Sequence, residues 1–189
     1  PVATPSNRAR TQCIPGTLSS AATKCISLVP GLAKQVSTPQ ASSVRAISVQ
    51  DSAGREVTLE QPARRIVALA PDIVENLFSA GAGDRLVGAV SYSNYPQEAK
   101  VIPEVGTYNA FSLEKILALQ PDLVVMWGSG NGMQTLPKLE GLGIPVYVSE
   151  LRKLSDVPES IRRLGKLAGT TSVAEAEARR IEREITSLH

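Results

Sequence analysis

Apolar and polar positions change their period several times along this chain, and the changes mark its elements. Ile47 and Val49 alternate with polar residues, as do Val57 and Leu59, on either side of Asp51-Ser52-Ala53-Gly54. Period two around Asp and Gly predicts a β-hairpin, which Pro62 ends. Arg65-Ile66-Val67-Ala68-Leu69-Ala70 is a nearly unbroken apolar run, the mark of a strand buried on both faces. Pro71 and Asp72 open a helix through Ala80, with Gly81 as its stop. Further strands are predicted at Leu86–Val90, Leu123–Trp127 and Pro145–Val148. Helices are predicted from Ser112 to before Pro121, and from about Thr135 to Leu142, with a glycine loop Gly128-Ser129-Gly130-Asn131-Gly132 before the second. Strands alternating with helices predict α/β architecture: a single three-layer lobe with a mostly parallel sheet flanked by helices.

The last forty residues change to a helical period. Ser155 to Ala168 reads as one helix, Gly169-Thr170-Thr171-Ser172 as a break, and Val173 onward as a second helix. Ala174, Ala178, Ile181, Ile185 and Leu188 form its apolar stripe. Glu175 with Arg179, and Arg180 with Glu184, stand at ion-pair spacing. An apolar stripe left bare tends to find a partner, so wherever its distal part is uncovered it is expected to fray beyond about Ile181 or to self-associate through 173–189.

Residues 1–45 show neither period. They are rich in Ser, Thr, Ala and Pro and read as a disordered leader or tether. Their five basic side chains face no acid, whereas residues 46–189 carry fifteen basic and eighteen acidic groups. A weakly acidic body argues against nucleic acid as a partner. Cys13 and Cys25 both lie in the leader, either bridged or as two free thiols.

Candidate chemistry is sparse. The only histidine is His189, so Ser-His-acid or Cys-His catalysis and a His/Cys zinc site have no constituents in the body of the chain. No catalytic residue and no metal ligand is expected. The Gly128–Gly132 run follows a strand and leads into a helix, but Met133 stands where a dinucleotide fingerprint has its last glycine. A small enzyme using this loop for a phosphate group stays open as an alternative. Asp72 and Glu114 suit the first turns of their helices, where a carboxylate complements the helix dipole.

Seven residues are aromatic, and three of these, Tyr92, Tyr108 and Trp127, stand at or just past the ends of apolar runs. Such positions either pack under loops or line the crevice at the carboxyl ends of the strands, where open α/β sheets bind ligands. Pro71, Asp72 and Gly128, just past their own strands, complete the candidate ligand-binding set.

The ordered landmarks Arg65–Pro71 with Glu75, Val87-Gly88, Ser91-Tyr92-Ser93-Asn94-Tyr95-Pro96, Val105-Gly106-Thr107, Ser112–Ile116, Pro121–Val124 and Leu142–Val146 resemble the periplasmic binding proteins that serve metal-chelate importers. The Tyr92 loop and Trp127 resemble the cobalamin branch of that family more than its siderophore and haem branches. The resemblance implies two α/β lobes joined by a long helix with the ligand between them. Residues 46–170 would then be the N-terminal lobe, and 171–189 the start of the connecting helix. It implies cobalamin or another corrinoid as transported ligand rather than as cofactor, with a siderophore or haem-type chelate as the alternative. Tyr92, Tyr108 and Trp127 match ligand contacts, the second standing where the family has Trp. Glu114 matches a glutamate that docks on the membrane subunits of the ABC transporter. The implied location is periplasmic or extracytoplasmic, with membrane association through the transporter.

Overall fold

The computed structural model describes residues 46–188. The expectations for residues 1–45, including the Cys13–Cys25 alternatives, and for His189 lie outside those residues.

The predicted hairpin is present: β1 (Ile47–Gln50) pairs antiparallel with β2 (Glu56–Leu59). The strands β3 (Ile66–Ala68), β4 (Leu86–Ala89), β7 (Leu123–Trp127) and β8 (Val146–Ser149) form a parallel sheet in the order β4-β3-β7-β8. Between β4 and β7 the chain adds a two-residue-per-strand hairpin, β5 (Gly106–Thr107) and β6 (Ala110–Phe111), which the apolar pattern does not announce. The helices are α1 (Pro71–Ser79), α2 (Leu113–Ala118), α3 (Gly128–Asn131), α4 (Leu136–Glu140), α5 (Asp156–Ala168) and α6 (Thr171–Ser187).

Strand periodicity sorts the core into two layers. Ile66, Ala68, Leu123, Val125 and Tyr147 pack on one face with Ile73 and Leu77 of α1 and with Ile161 and Leu164 of α5. Val67, Leu69, Val124, Met126 and Val148 point the other way, onto Ile116 of α2 and Leu139 of α4. Alternate side chains leave opposite faces of a strand, so a run apolar at every position needs helices on both sides. β3 is shorter than its apolar run because Pro71 at once begins α1, yet the Leu69 amide still donates to the Val125 carbonyl at 2.9 Å.

The hairpin is clasped to the edge strand. Buried Asp51 accepts the Ala53 and Arg55 amides at 3.0 and 2.8 Å and takes the Arg55 guanidinium at 2.7 Å. Arg55 also donates to the Val146 carbonyl at 2.9 Å, and the Ser52 amide donates to the Val148 carbonyl at 2.9 Å. Covering an edge strand in this way removes a pairing hazard.

α5 and α6 form an antiparallel pair. Gly169 ends α5 at φ 72°, and α6 begins at Thr171, two residues before the expected start. The helices meet so closely that a Cβ on Gly165 would lie 2.2 Å from the Ala174 Cβ. Arg162 reaches across to Glu175 and Glu182 at 2.7 and 2.6 Å. The pairs Glu175–Arg179 and Arg180–Glu184 form as their spacing predicts. Along the predicted stripe, Ala174 and Ala178 are buried, Ile181 packs partly on the core, and Leu188 is 77% exposed.

Candidate functional site

The strand order places the site. From β3 the chain moves outward to β4, then returns past β3 to β7 and on to β8. The direction of winding reverses between β3 and β7, and open sheets bind ligands outside the carboxyl ends of strands at such a switch point. Pro71 and Asp72 follow β3, and Trp127 and Gly128 lie at the end of β7. These candidates therefore flank the reversal.

Two of the three aromatics meet. The rings of Tyr108 and Trp127 have centroids 6.0 Å apart with planes inclined at 45°, a favourable tilted arrangement. Tyr108 reaches this place from the turn of the β5–β6 hairpin, not from the end of a sheet strand. The stretch preceding it, Ile102–Gly106, pairs with β4 through an isolated bridge between Ala89 and Glu104, and its Val105 packs with Val67 and Val124. Trp127 lies half-buried against the core while Tyr108 remains 45% exposed, so the pair presents a face to solvent rather than closing under a loop.

Tyr92 stands apart on the loop after the edge strand β4, 82% exposed. Its φ of 68° is left-handed, a conformation a bulky residue adopts at a cost. The loop is fixed around it: the Ser93 hydroxyl donates to the Val90 carbonyl at 2.8 Å, and the Ser91 amide donates to the Gly106 carbonyl at 2.8 Å. An aromatic ring is thus held in water by an anchored, strained turn.

The residue that organises the crevice is one that sequence reasoning passed over. Asn131 is buried, and its Oδ1 accepts the Trp127 amide at 2.6 Å. Its Nδ2 donates to the Leu69 carbonyl at 2.9 Å and to the Tyr108 carbonyl. One carboxamide therefore ties together the end of β3, the end of β7 and the β5–β6 turn. The available signal was the only amide side chain in a glycine run just after a strand, since Asn readily bonds nearby backbone.

The expected glycine loop is a helical turn, α3, and that expectation is corrected. Glycine disfavours helix, but the Asn131 bond back to Trp127 and the capture of Ser129 hold the turn. The Ser129 amide and hydroxyl donate to the Glu150 carboxylate at 2.8 and 2.9 Å. Glu150 thereby fills the place in which a phosphate would have to sit. The glycines serve packing instead. A Cβ on Gly130 would lie 1.8 Å from the Trp127 ring, and one on Gly128 would lie 3.0 Å from Glu150 Oε2. Gly128 also joins Met133, Val148 and Glu150 around a hollow of about 270 Å³ beside the crevice.

Asp72 occupies the first turn of α1, and its pKa is raised. Its side chain reaches solvent, but protein packed around the carboxyl desolvates it, and the Glu150 charge adds to the rise against bonds from the Asp72 and Ile73 amides. Glu114 is exposed in the first turn of α2, directly after the β5–β6 hairpin, and the N-cap Ser112 of that helix accepts the Lys115 amide at 3.2 Å. The described residues contain no cluster of three or more His, Cys, Asp or Glu side chains able to hold a metal, and no described helix is long and apolar enough to cross a membrane.

The three-layer lobe thus carries an aromatic pair at its switch point, the place where open α/β sheets bind ligands. Residues 66–189 match the family described as periplasmic binding protein, and the chain belongs to that family. It is 38% identical over 128 residues to the vitamin B12-binding protein of Vibrio parahaemolyticus, covering 68% of this chain and 46% of that one. The crystal structure of the periplasmic vitamin B12-binding protein of Vibrio cholerae superposes with a TM-score of 0.64 at 35% identity, covering 67% of this chain and 50% of that one. A periplasmic heme-binding protein from Roseiflexus sp. RS-1 superposes with a TM-score of 0.60 at 31% identity, covering 66% and 48%. The chain thus spans about half the length of these relatives.

Proposed function

We propose that this chain is the N-terminal lobe of the substrate-binding component of an ABC importer, and that it binds cobalamin or a related corrinoid. The observation that carries the reading is the Tyr108–Trp127 pair, fixed by Asn131 at the switch point and open to solvent. The relatives named for vitamin B12 support the choice of ligand. No bond is made or broken in this function. Flat, rigid rings supply a large apolar contact at little cost in conformational freedom, and Tyr92 extends that surface on the side of β4. The site works in the periplasm, with the membrane subunits of the transporter as partners and Glu114 as a docking contact on the exposed start of α2. A phosphate-using enzyme is disfavoured because Glu150 already takes the amide at the head of α3.

The test is a titration with cyanocobalamin followed by the fluorescence of Trp127, the sole tryptophan, corrected for absorption by the ligand. Saturable quenching is expected, weak because one lobe leaves much of the ligand in water. Quenching by hemin at lower concentrations than by cyanocobalamin would replace the corrinoid reading with a haem-type one.

A further inference from the structure

The charge distribution around the crevice is lopsided. The loop 91–96 after β4, the β5–β6 turn 108–109 and residues 128–135 after β7 contain no lysine, arginine, aspartate or glutamate. They offer hydroxyls, amides, backbone and aromatic rings. Charge enters from neighbouring segments, as Asp72 after β3, as Glu150 after the edge strand β8, and as Glu114 and Lys115 in the first turn of α2. Arg152 lies on the outer side, where it lines the hollow with Glu150, Gly128 and Met133. Asp72 is different. It stands at the reversal itself, in the first turn of α1 just past β3, and β3 is hydrogen-bonded to β7, which ends at Trp127. The described residues give its carboxylate no cationic partner, and the charged group that acts on it is Glu150, of the same sign.

We infer that Asp72 is a charge filter for the crevice, admitting chelates whose rim is neutral and rich in hydrogen-bond donors, such as carboxamides, and rejecting those that carry peripheral carboxylates. This rests on the corrinoid reading above and sharpens it into a rule for ligand selection. A carboxamide N–H can donate to the Asp72 carboxylate, a charge-assisted bond stronger than one between neutral groups. A ligand carboxylate in the same place meets Asp72 and Glu150 with no cation in the central loops to pair with, and like charges juxtaposed at an interface select strongly against a partner.

Two corrins with the same ring and metal test it: dicyanocobinamide, whose rim carries amides, and dicyanocobyrinic acid, whose rim carries carboxylates. At low ionic strength the amide form should quench Trp127 with a Kd at least about tenfold lower, and added salt should shrink the ratio because it screens exposed charges. Asp72→Lys should bring the two Kd values within about threefold, and Asp72→Asn should give an intermediate ratio. Equal affinities in the unaltered protein at low salt would overturn the filter while leaving the corrinoid reading intact. A ratio unchanged by salt would do the same, and this arm holds even if Asp72→Lys fails to fold by circular dichroism. Absence of binding by either corrin would remove the reading on which the filter rests.

Discussion

The two ends of the parallel sheet are built on different principles. At the amino end, charged side chains satisfy backbone. Asp122 accepts the Arg64 and Arg65 amides at 2.8 and 2.9 Å, and Arg65 donates to the Leu119 and Gln120 carbonyls. Arg85 donates to the Ala63 carbonyl at 2.8 Å and to the Ala168 carbonyl. At the carboxyl end one charged group, Glu150, holds Ser129, but a neutral amide, Asn131, ties β3, β7 and the β5–β6 turn together, and the rings around it remain open to solvent. The first end is finished within the described chain. The second presents apolar area and strained backbone that nothing in the fold requires, which is the physical mark of a surface kept for a ligand.

Asn131→Ala should have the largest effect. It removes the partner of the Trp127 amide and of the Leu69 and Tyr108 carbonyls at once, and a buried polar group left unpaired costs about 1–3 kcal/mol. Chemical denaturation measures that loss, and cyanocobalamin titration should show binding lost with it. Retained stability and binding would mean that the carboxyl end is not organised by this side chain.

Asp122→Ala probes the opposite end and should cost about 1 kcal/mol, the net worth of ordinary hydrogen bonds near the surface. Corrinoid affinity measured on the folded fraction should not change. A drop in affinity comparable to that of Asn131→Ala would erase the distinction between the two ends.

Smaller effects come from the helical pair. Glu175 and Glu182 have lowered pKa values, chiefly because each accepts from Arg162. A depressed folded pKa gives stability present above the ordinary carboxylate range and lost as pH falls through the folded value. The α5–α6 clasp should therefore weaken as pH is lowered below about 4.5. Arg162→Gln should flatten that dependence in thermal melts. Asp72 acts with the opposite sign: its raised pKa favours the fold at low pH, and that share is lost as pH rises through the folded value. Hydrogen exchange should show protection falling away past Ile181, where the buried stripe gives way to exposed Leu188. Full protection to the end of α6, in a monomer by light scattering, would sink the fraying and self-association expectation.

The fold was legible where one kind of period ran long enough. β7 was predicted residue for residue, and β3, β4, β8, α1 and α5 to within two residues at each end, because burial on both faces leaves the strands an unbroken apolar record and burial on one face leaves the helices a helical period. The β5–β6 hairpin escaped because two-residue strands carry no period, and its turn is made by Tyr108 and Asn109 with the Thr107 hydroxyl. The helical turn at 128–131 escaped because its support comes from Glu150, far along the chain. Trp127 was legible as a strand-end aromatic, but its partnership with Tyr108 was not. That contact is set by the unseen hairpin and by Asn131, and no local pattern encodes a carboxamide that joins three segments.

The smallest stability effect should come from Tyr92, and for that reason it separates ligand contact from packing most cleanly. Its ring is 82% exposed, so truncation removes little burial. Its left-handed φ of 68° suits glycine, and relief of that strain offsets the freedom a glycine gains in the unfolded chain. Tyr92→Gly should therefore change stability by no more than about 0.5 kcal/mol, as surface substitutions generally do. Cyanocobalamin binding should weaken by roughly 1 kcal/mol or more, the scale of an aromatic interface anchor. The two measurements are independent here, unlike at Trp127, where the half-buried ring packs on the core and truncation must also cost stability. Unchanged affinity in a stable Tyr92→Gly protein would confine the ligand surface to the Tyr108–Trp127 pair. Lost stability would mean that the ring packs in solution against something the fold alone does not reveal.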